Sequence, residues 1–267
     1  MAGNTKTLRV RIKSVTSTLQ LTKAMGLVAS SKIRRANEAM LKAREYSDAL
    51  ENAVSLLTGD RECLKSPYMR KEENPKTKII IIAGDRGLAG GYNANILRLA
   101  ALYPDAEFIP IGKRACERYS KPIISSERFS SKDAANLANT LCNDFAAGEF
   151  DRLGIIYTDF VSVMTQNANI KWVLPLEKSS TENSAGIVFE PDHITVLEYT
   201  VKEYVSGLLM HCIRESFASE VAARRMAMDS AGKNAKEMID DLSLKYNQAR
   251  QGAITQEITE IVAGSGN

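Results

Sequence analysis

The sequence is poor in the residues on which many enzymes and extracellular proteins depend. It has two histidines, one tryptophan and four cysteines, and aromatic residues make up only 6% of the chain. The cysteines are Cys63, Cys116, Cys142 and Cys212. They are far apart and form no CxxC pair, which favours free thiols in a reducing compartment. With His193 and His211 as the only histidines, we predict no metal site, no bound cofactor and no catalysis by this chain alone.

Long apolar runs are also missing. No stretch of about 18 apolar residues occurs, so the sequence predicts no transmembrane helix. The N-terminal segment MAGNTKTLRVRIKSV lacks the apolar core of a secretory signal. These two absences favour a cytosolic protein of the bacterial type.

Proline is absent from both ends of the chain. All seven prolines lie between Pro67 and Pro191. A proline inside a helix costs about 3 kcal/mol, so long stretches without proline are compatible with long helices. The distribution predicts a helix over residues 1–60, a central domain over 76–191 and a second helix over 203–264.

Apolar residues recur in both terminal arms at steps of three and four. The N-terminal stripe is Leu8, Ile12, Val15, Leu19, Thr22, Met25, Ala29, Ile33, Ala36, Met40, Ala43, Tyr46, Leu50, Val54 and Leu57. The C-terminal stripe is Tyr204, Leu208, His211, Phe217, Val221, Met228, Ala235, Ile239, Leu242, Tyr246, Ala249, Ile254, Ile258 and Ile261. Such spacing keeps one face of a helix against a partner helix, and we predict that the arms form an antiparallel coiled coil. The register drifts around residues 211–232, where less regular packing is expected.

The centre alternates strand-like and helix-like segments. The run Ile79–Ala83 is typical of a strand buried on both faces. Further strands are predicted at 108–111 and 153–157, helices at 93–101 and 134–147, and edge strands at 170–174 and 187–189. Residues 65–78 are interpreted as a linker and residues 177–186 as an exposed loop. The fold class is therefore α/β with long helices: a coiled coil plus a central Rossmann-like domain.

A glycine-rich loop, Gly84–Asn93, joins the first strand to the next helix. Loops at this position bind phosphate in many α/β folds, because helix N-termini attract anions. However, the glycine spacing does not fit GxGxxG, and no Gly-Lys-Ser/Thr follows. We therefore interpret the loop as a tight turn, in which Asp85 and Arg86 pair locally or with a partner subunit.

The charge is distributed unevenly. Residues 1–50 hold ten Lys or Arg against three Asp or Glu, a net charge of +7, whereas residues 203–260 carry −2. A basic arm could bind nucleic acid, but its charges lie among helix-spaced apolar residues without interleaved aromatics. A protein partner is favoured over nucleic acid, with a self-associating coiled-coil adaptor as a further alternative.

Several segments resemble the γ subunit of F-type ATP synthases, and they occur in the same order as in that family. They are LTKAMGLVASSKIRRA at 21–36, DRGLAGGYNAN at 85–95, residues 157–163 with VLPL at 173–176, FEP at 189–191, and YNQARQGAITQEITEIV at 246–262. The matches extend from one end of the chain to the other. Departures from the family pattern include Gly26 and Gly232, which are expected to soften the helices locally.

The resemblance implies a rotor. In this family two coiled terminal helices stand inside a ring of three α and three β subunits, and the central domain contacts the ε subunit and the membrane ring of c subunits. The chain is then expected to transmit torque that couples ion translocation to ATP synthesis or hydrolysis. It is expected at the cytoplasmic face of the bacterial cell membrane, which it reaches only through the c-ring.

The resemblance also implies contact residues. Arg250, Gln251 and Thr255 match positions that contact a loop of the catalytic β subunit, and Lys23 and Met25 match a segment that also faces β. The C-terminal residues that match an apolar tip seated in the bearing of the ring are Ile254, Ile258, Ile261 and Val262.

Overall fold

The computed structural model of the chain describes residues 2–179 and 189–264. Its elements are α1 (Ala2–Thr58), β1 (Thr77–Ile82), α2 (Tyr92–Ala100), β2 (Glu107–Ile111), α3 (Lys113–Arg118), α4 (Ser131–Ala146), β3 (Arg152–Phe160), β4 (Gln166–Leu174) and α5 (His193–Gly264). Two short 3-10 helices, Cys63–Lys65 and Pro67–Met69, follow α1. The residues group into two compact units. We call residues 1–30 with 224–267 the helical unit, and residues 31–223 the sheet unit.

The sheet has four strands in the order β2-β1-β3-β4. Strand β1 pairs in parallel with β2 and β3, whereas β4 pairs antiparallel with β3. The isoleucines of β1 alternate between two apolar clusters. Ile79 and Ile81 pack with residues of α2 and α3, and Ile80 and Ile82 pack with residues of α4 and α5. The prediction of a strand buried on both faces is confirmed, because helices cover both sides of the sheet.

Helix α4 begins at Ser131, three residues before the predicted start. Ser130 and Asp133 form a capping box: the Ser130 hydroxyl accepts from the Asp133 N–H at 3.2 Å, and the Asp133 carboxylate accepts from the Ser130 N–H at 2.9 Å. This pair satisfies two of the free N–H groups at the helix start. The capping residues determine where the helix starts, so it begins before Ala134, the residue from which the apolar pattern predicted it.

The predicted start of the C-terminal helix, residue 203, is wrong by ten residues. Helix α5 starts at His193, directly after Asp192, whose carboxylate accepts from the Thr195 N–H at 2.9 Å and from its hydroxyl at 2.7 Å. Leu197 and Val201 in the first turns are fully buried. The helix is therefore stabilised from its first turn by a cap and by burial in the core of the sheet unit.

The departure from a single stripe that was expected around residues 211–232 is found in the part in the sheet unit, where buried residues lie on several sides of α5. Cys212, Ser216 and Ser219 are almost completely buried. The Ser216 hydroxyl accepts from the Thr158 N–H at 3.1 Å, and the Ser219 hydroxyl donates to the Thr158 carbonyl at 3.2 Å. Helix α5 contacts β3 here, so a single stripe could not describe its burial.

One position of the N-terminal stripe is less buried than predicted, and its neighbour in sequence is more buried. Tyr46, predicted to face the partner helix, is 53% exposed, whereas Ser47 is buried. Ring atoms of Tyr46 lie about 3 Å from the place where a Cβ on Gly207 would stand, and a Leu50 methyl lies closer still, at 2.5 Å. Because Gly207 has no side chain, the Tyr46 ring and Leu50 can approach the backbone of α5 closely, although the ring stays largely exposed.

The predicted linker, residues 65–78, is partly structured. Tyr68 is buried and stacks on Phe145 with ring centroids 6.1 Å apart. Its carbonyl accepts from the Leu176 N–H at 2.8 Å. This segment therefore belongs to the core of the sheet unit. Most of the predicted loop 177–186 and of the edge strand 187–189 lies outside the described residues, and Phe189 itself is not in a strand.

In the helical unit the two helices pair antiparallel, as predicted. Gly26 lies opposite Met228, whereas the earlier residue Thr22 lies opposite the later Gly232. The buried residues are seven apart: Thr22 and Ala29 on α1, and Met228, Ala235 and Leu242 on α5. A spacing of seven keeps one seam of each helix against the other.

Replacing Gly232 by alanine should stabilise the protein. A Cβ at this position would lie 3.6 Å from the Thr22 hydroxyl, an ordinary contact, while the backbone is helical. Removing the extra freedom of glycine should raise the free energy of unfolding by about 0.5–1 kcal/mol. Urea denaturation followed by circular dichroism would measure the change. Gly84→Ala is the control: its Cβ would lie 2.7 Å from the Glu220 carboxyl carbon, so stability should fall.

Candidate functional site: partner-binding surfaces

The seven predicted contact residues all lie in the helical unit, and they form two groups. Lys23 and Met25 are on α1, and the other five lie between Arg250 and Ile261 on α5. Met25 is half-buried, whereas the other six are exposed. The structure therefore leaves these side chains available to other molecules, and their contacts with a β subunit stay a prediction.

The end of α5 carries an exposed apolar face, which we call the terminal stripe. It consists of Ile254, Ile258, Ile261 and Val262, whose exposed fractions are 46%, 56%, 70% and 64%. Residues spaced by four, three and one fall on one side of a helix. All four side chains of this face are exposed to solvent in the structure. An exposed face with several large aliphatic side chains is typical of a surface that contacts a partner.

The polar side chains beside the terminal stripe mostly bond to their own helix. The Thr255 hydroxyl donates to the Gln251 carbonyl at 2.9 Å, and the Thr259 hydroxyl donates to the Thr255 carbonyl at 2.8 Å. Arg250, by contrast, has no hydrogen bond or ion pair with any residue in the described ranges. Its guanidinium is free to bind a partner carboxylate through two parallel N–H groups.

Lys23 lies in a groove of about 510 Å³ between α1 and α5 within the helical unit. We call it the basic groove. Its lining residues are Leu19, Thr22, Lys23, Gly26, Leu27, Ser30, Arg225, Met228, Asp229, Gly232, Lys233 and Lys236. Four of these are basic and one is acidic, and the acidic residue, Asp229, is paired with Lys233 at 3.2 Å. The groove therefore suits a partner surface that combines carboxylates with apolar side chains.

Of the four cations that line this groove, only Lys23 was predicted as a contact residue. Arg225, Lys233 and Lys236 were not predicted. Their place follows from the antiparallel register, which sets Gly26 opposite Met228 and Thr22 opposite Gly232. A helical projection of α5 against α1 in that register would have found the three cations. Apart from this register, nothing in the local sequence around Arg225, Lys233 or Lys236 indicates that they line a groove.

Asp85, in the glycine-rich loop, is a hub of internal hydrogen bonds. Its carboxylate accepts from the Lys113 N–H at 3.0 Å, the Ser125 hydroxyl at 2.5 Å, and the Ser126 and Glu127 N–H groups at 3.1 Å each. Burial raises the pKa of Asp85, but these hydrogen bonds outweigh it and hold the pKa below its ordinary value. The prediction of local pairing is confirmed, although the partners are backbone groups and a serine.

The rest of the loop is also bonded within the sheet unit. The Asn93 amide accepts from the Gly84 N–H at 2.9 Å and donates to the Arg86 carbonyl at 3.3 Å. Arg86 forms an ion pair with Glu127 at 3.3 Å. The Glu220 carboxylate lies close to Gly84, where a phosphate would meet its negative charge. These contacts favour a structural role for the loop over nucleotide binding.

A buried ionic cluster surrounds Glu215, whose side chain is 5% exposed. Its carboxylate lies 2.6 Å from an Arg44 nitrogen and 3.1 Å from His211 Nε2, and it accepts from the Phe160 N–H at 3.2 Å. Burial raises the pKa of Glu215, but His211, the Phe160 N–H and Arg44 outweigh it and lower the pKa. His211 was predicted to lie on the apolar stripe of the C-terminal helix. The four-residue spacing between His211 and Glu215 could have predicted this pair, because residues four apart are neighbours on a helix.

A second unexpected cluster joins Asp60, Cys63 and His193. One ligand atom from each side chain lies within 4.8 Å of the other two. Burial, followed by the negative charges of Asp60 and Glu62, raises the pKa of the Cys63 thiol to about 11. The prediction of no metal site overlooked this group. The predicted antiparallel arms bring the end of α1 close to the start of α5. This arrangement could have predicted that Asp60, Cys63 and His193 come together.

Among the described residues, no helix is both long and apolar enough to cross a membrane. This agrees with the hydropathy of the sequence.

Comparison with known proteins identifies the family. A family model described as ATP synthase matches residues 4–266. The chain is 41% identical to the ATP synthase gamma chain of Ruminococcus albus, with 99% of each chain covered. It is 36% identical to the sodium-ion-specific ATP synthase gamma chain of Acetobacterium woodii, again with 99% of each chain covered. The protein belongs to the ATP synthase gamma-chain family.

Solved structures support the fold. A chain from the mitochondrial ATP synthase of Euglena gracilis matches with a TM-score of 0.71 at 17% identity, covering 99% of this chain and 94% of that one. A chain from the central stalk and c-ring of the Tetrahymena thermophila mitochondrial enzyme has a TM-score of 0.62 at 22% identity, covering 79% and 99%. The predicted fold class, long terminal helices with a small central sheet, is confirmed.

Proposed function

We propose that this chain is the central rotor shaft of an F-type ATP synthase. It carries torque between a membrane c-ring and a catalytic ring of three α and three β subunits, and so couples ion translocation to ATP synthesis or hydrolysis. The chain is a non-catalytic subunit that requires no cofactor and binds no nucleic acid. It works at the cytoplasmic face of the bacterial cell membrane, where it also binds the ε subunit and touches the membrane only through the c-ring.

The observation that carries this proposal is the terminal stripe. Four large aliphatic side chains lie exposed at the end of a long helix, and the neighbouring Thr255 and Thr259 donate to their own backbone. Such a surface offers apolar contact with few fixed hydrogen bonds. A shaft that turns inside a bearing needs this combination, because strong directional bonds would hold it at one angle.

The paired helices of the helical unit supply stiffness. Each helix is continuously hydrogen-bonded, and the buried residues at sevens interlock along one seam. Twisting one helix about the other would break this packing. Torque applied to the pair is therefore transmitted along it with little loss.

The cationic positions suit a partner with carboxylates at defined places. Arg250 can bind a carboxylate with two N–H groups, and Lys23 adds charge in the basic groove. A rotating shaft with charge on one side presents a different face to each surrounding subunit. This asymmetry supports the idea that the shaft sets the three catalytic sites in different states.

The sheet unit carries exposed apolar side chains that suit the other partners. They are Leu88, Leu102, Ile123, Val161 and Met164, each more than 60% exposed. All five lie outside the regular helices and strands. These positions are candidates for contacts with the ε subunit and the c-ring.

Reconstitution tests the proposal. The purified chain is mixed with the α and β subunits of its own organism, and assembly is followed by size exclusion and ATPase activity. We expect a complex of three α, three β and one copy of this chain, with more activity than the separate parts. If the chain stays apart from well-folded α and β and adds no activity, the proposal fails. Stoichiometric ATP binding by the isolated chain would instead indicate a site in the glycine-rich loop.

Within that complex, Arg250→Ala should lower ATPase activity about tenfold, the effect of losing one charge-assisted hydrogen bond. Lys245→Ala is the matched control: Lys245 is exposed on the same helix and, among the residues that the structure describes, pairs with Asp241 at 2.8 Å. We expect its activity to stay within twofold of the unsubstituted complex. Equal losses in the two variants would remove Arg250 from the contact surface.

A further inference from the structure

We infer that Asp60, Cys63 and His193 form a zinc site that clips the end of α1 to the start of α5. The site lies wholly in the sheet unit and does not depend on the proposed rotor function. The inference rests on the mixed ligand set, on the distances between the ligand atoms and on a buried nitrogen without a hydrogen bond.

The fold holds the three residues in place. Helix α1 ends at Thr58, and the Asp60 N–H then donates to the Leu57 carbonyl at 3.0 Å. Cys63 starts the first 3-10 helix, and His193 is the first residue of α5. Asp60 and Cys63 thus lie in the short connection after α1, and His193 lies in the first turn of α5. Two elements separated by 130 residues in sequence meet at this point.

The distances are close to those of a metal centre. His193 Nδ1 lies 3.2 Å from Asp60 Oδ2, while the Cys63 thiol donates a hydrogen bond to the His193 backbone carbonyl at 3.5 Å, a bond that metal binding would replace. All three ligand atoms lie within 4.8 Å of one another. Zinc binds sulfur at about 2.3 Å and nitrogen or oxygen at about 2.0–2.2 Å, which sets tetrahedral ligand atoms about 3.3–3.6 Å apart. Side-chain movements of about 1 Å would complete the geometry.

His193 provides an independent indication. Its Nδ1 atom is buried and makes no hydrogen bond with any residue in the described ranges, although Asp60 Oδ2 is near. The contact with Asp60 is an ion pair only when the imidazole is protonated, whereas a metal ion would satisfy both atoms with a neutral imidazole. Asp60 is oriented by its other oxygen, Oδ1, which accepts from the Glu62 N–H at 2.7 Å. Such outer bonds fix the direction of a ligating carboxylate.

The ligand chemistry selects zinc. Calcium and magnesium prefer all-oxygen sites, whereas a thiolate, an imidazole and a carboxylate together suit zinc. The side chains of His193 and Asp60 are 27% and 20% exposed, and zinc sites with three protein ligands hold a water molecule in the fourth position. On binding, the Cys63 thiol releases its proton to solvent and the sulfur bonds to the metal as a thiolate.

The other cysteines provide internal controls. Cys142 is also free and fully buried. In the part of the chain that the structure describes, the group of Asp60, Cys63 and His193 is the one set of three candidate ligands. Cys142→Ser therefore matches Cys63→Ser in chemistry and burial while leaving the proposed ligands intact.

The test measures zinc affinity of the full-length chain at pH 8 by competition with a chromophoric chelator. Cobalt substitution, followed by thiolate-to-cobalt charge-transfer absorption, reports sulfur ligation. We expect one ion per chain and a charge-transfer band in the unsubstituted protein. Cys63→Ser should abolish the band, and both Cys63→Ser and His193→Gln should weaken zinc binding at least tenfold. Cys142→Ser should bind like the unsubstituted chain.

Two results would overturn the inference. One is that the unsubstituted chain shows no saturable zinc binding, and the other is that Cys63→Ser and His193→Gln bind zinc as tightly as the unsubstituted chain. Equal loss in Cys142→Ser would overturn it too, because the effect would then follow any buried cysteine. Circular dichroism establishes whether each variant is folded. If Cys63→Ser does not fold, Asp60→Asn replaces it as the ligand variant, because Asp60 is partly exposed. Zinc should also raise the melting temperature of the unsubstituted chain more than that of the variants. All of these measurements use the isolated chain, so their failure leaves the rotor proposal standing.

Discussion

Gly112→Ala should lower the free energy of unfolding by about 3–5 kcal/mol. Gly112 connects β2 to α3 with φ at +95°, a conformation that L-residues rarely adopt. A Cβ at this position would also lie 1.8 Å from the Ala83 carbonyl oxygen, which belongs to the backbone and cannot rotate away. Backbone strain and steric overlap therefore add. Urea denaturation followed by circular dichroism would measure the loss.

Gly148→Ala separates these two causes. Gly148 has φ at +80°, but a Cβ there would meet only the Arg70 guanidinium at 3.5 Å, an ordinary contact with a flexible side chain. Its cost should be about 1 kcal/mol, from the backbone conformation alone. A Gly112→Ala variant as stable as Gly148→Ala would show that β1 and β2 separate readily at this point.

Glu215→Ala should lower the free energy of unfolding at pH 7 by about 3 kcal/mol. The substitution removes the carboxylate that Arg44, His211 and the Phe160 N–H share, and it leaves the Phe160 N–H without its acceptor. Denaturant unfolding at pH 7 would measure the change. Glu237→Ala, at an exposed position on the same helix, is the control and should change stability by less than about 0.5 kcal/mol.

The same carboxylate predicts the direction of a pH effect. The folded-state pKa of Glu215 is lowered from its ordinary value of about 4.5, so the folded chain holds this proton less tightly than the unfolded chain does. The stabilisation is therefore fully present above about pH 4.5 and is lost as the pH falls through the folded-state pKa. The difference between the unsubstituted chain and Glu215→Gln should shrink across that range. A difference that does not depend on pH would show that the charge is not the stabilising feature.

Local sequence patterns predicted the elements of this fold because the elements depend on local physics. The isoleucine run of β1 and the two arms without proline both have the expected conformation. Boundaries were less accurate where a cap or a tertiary contact decided them, as at Asp192 before α5. At positions 46 and 47 the pattern selected the apolar Tyr46, whereas Ser47 is the buried residue.

The candidate sites show the same division. Exposure of Arg250 and the terminal stripe agrees with the family motif, which is contiguous in sequence. The cations of the basic groove and the cluster of Asp60, Cys63 and His193 combine residues from distant segments. Such groups need the helix register and the strand order before they can be recognised. No spacing along the chain encodes them.

The exposed isoleucines at the end of α5 also have a consequence for biosynthesis. A newly made chain displays Ile254, Ile258 and Ile261 before any partner covers them. In a crowded cell, copies made in excess would adhere to one another or to chaperones through this face, and proteases would find an accessible helix end. On the proposed rotor function, the cell gains by synthesising this chain in proportion to the α and β subunits, and by degrading copies that stay unassembled.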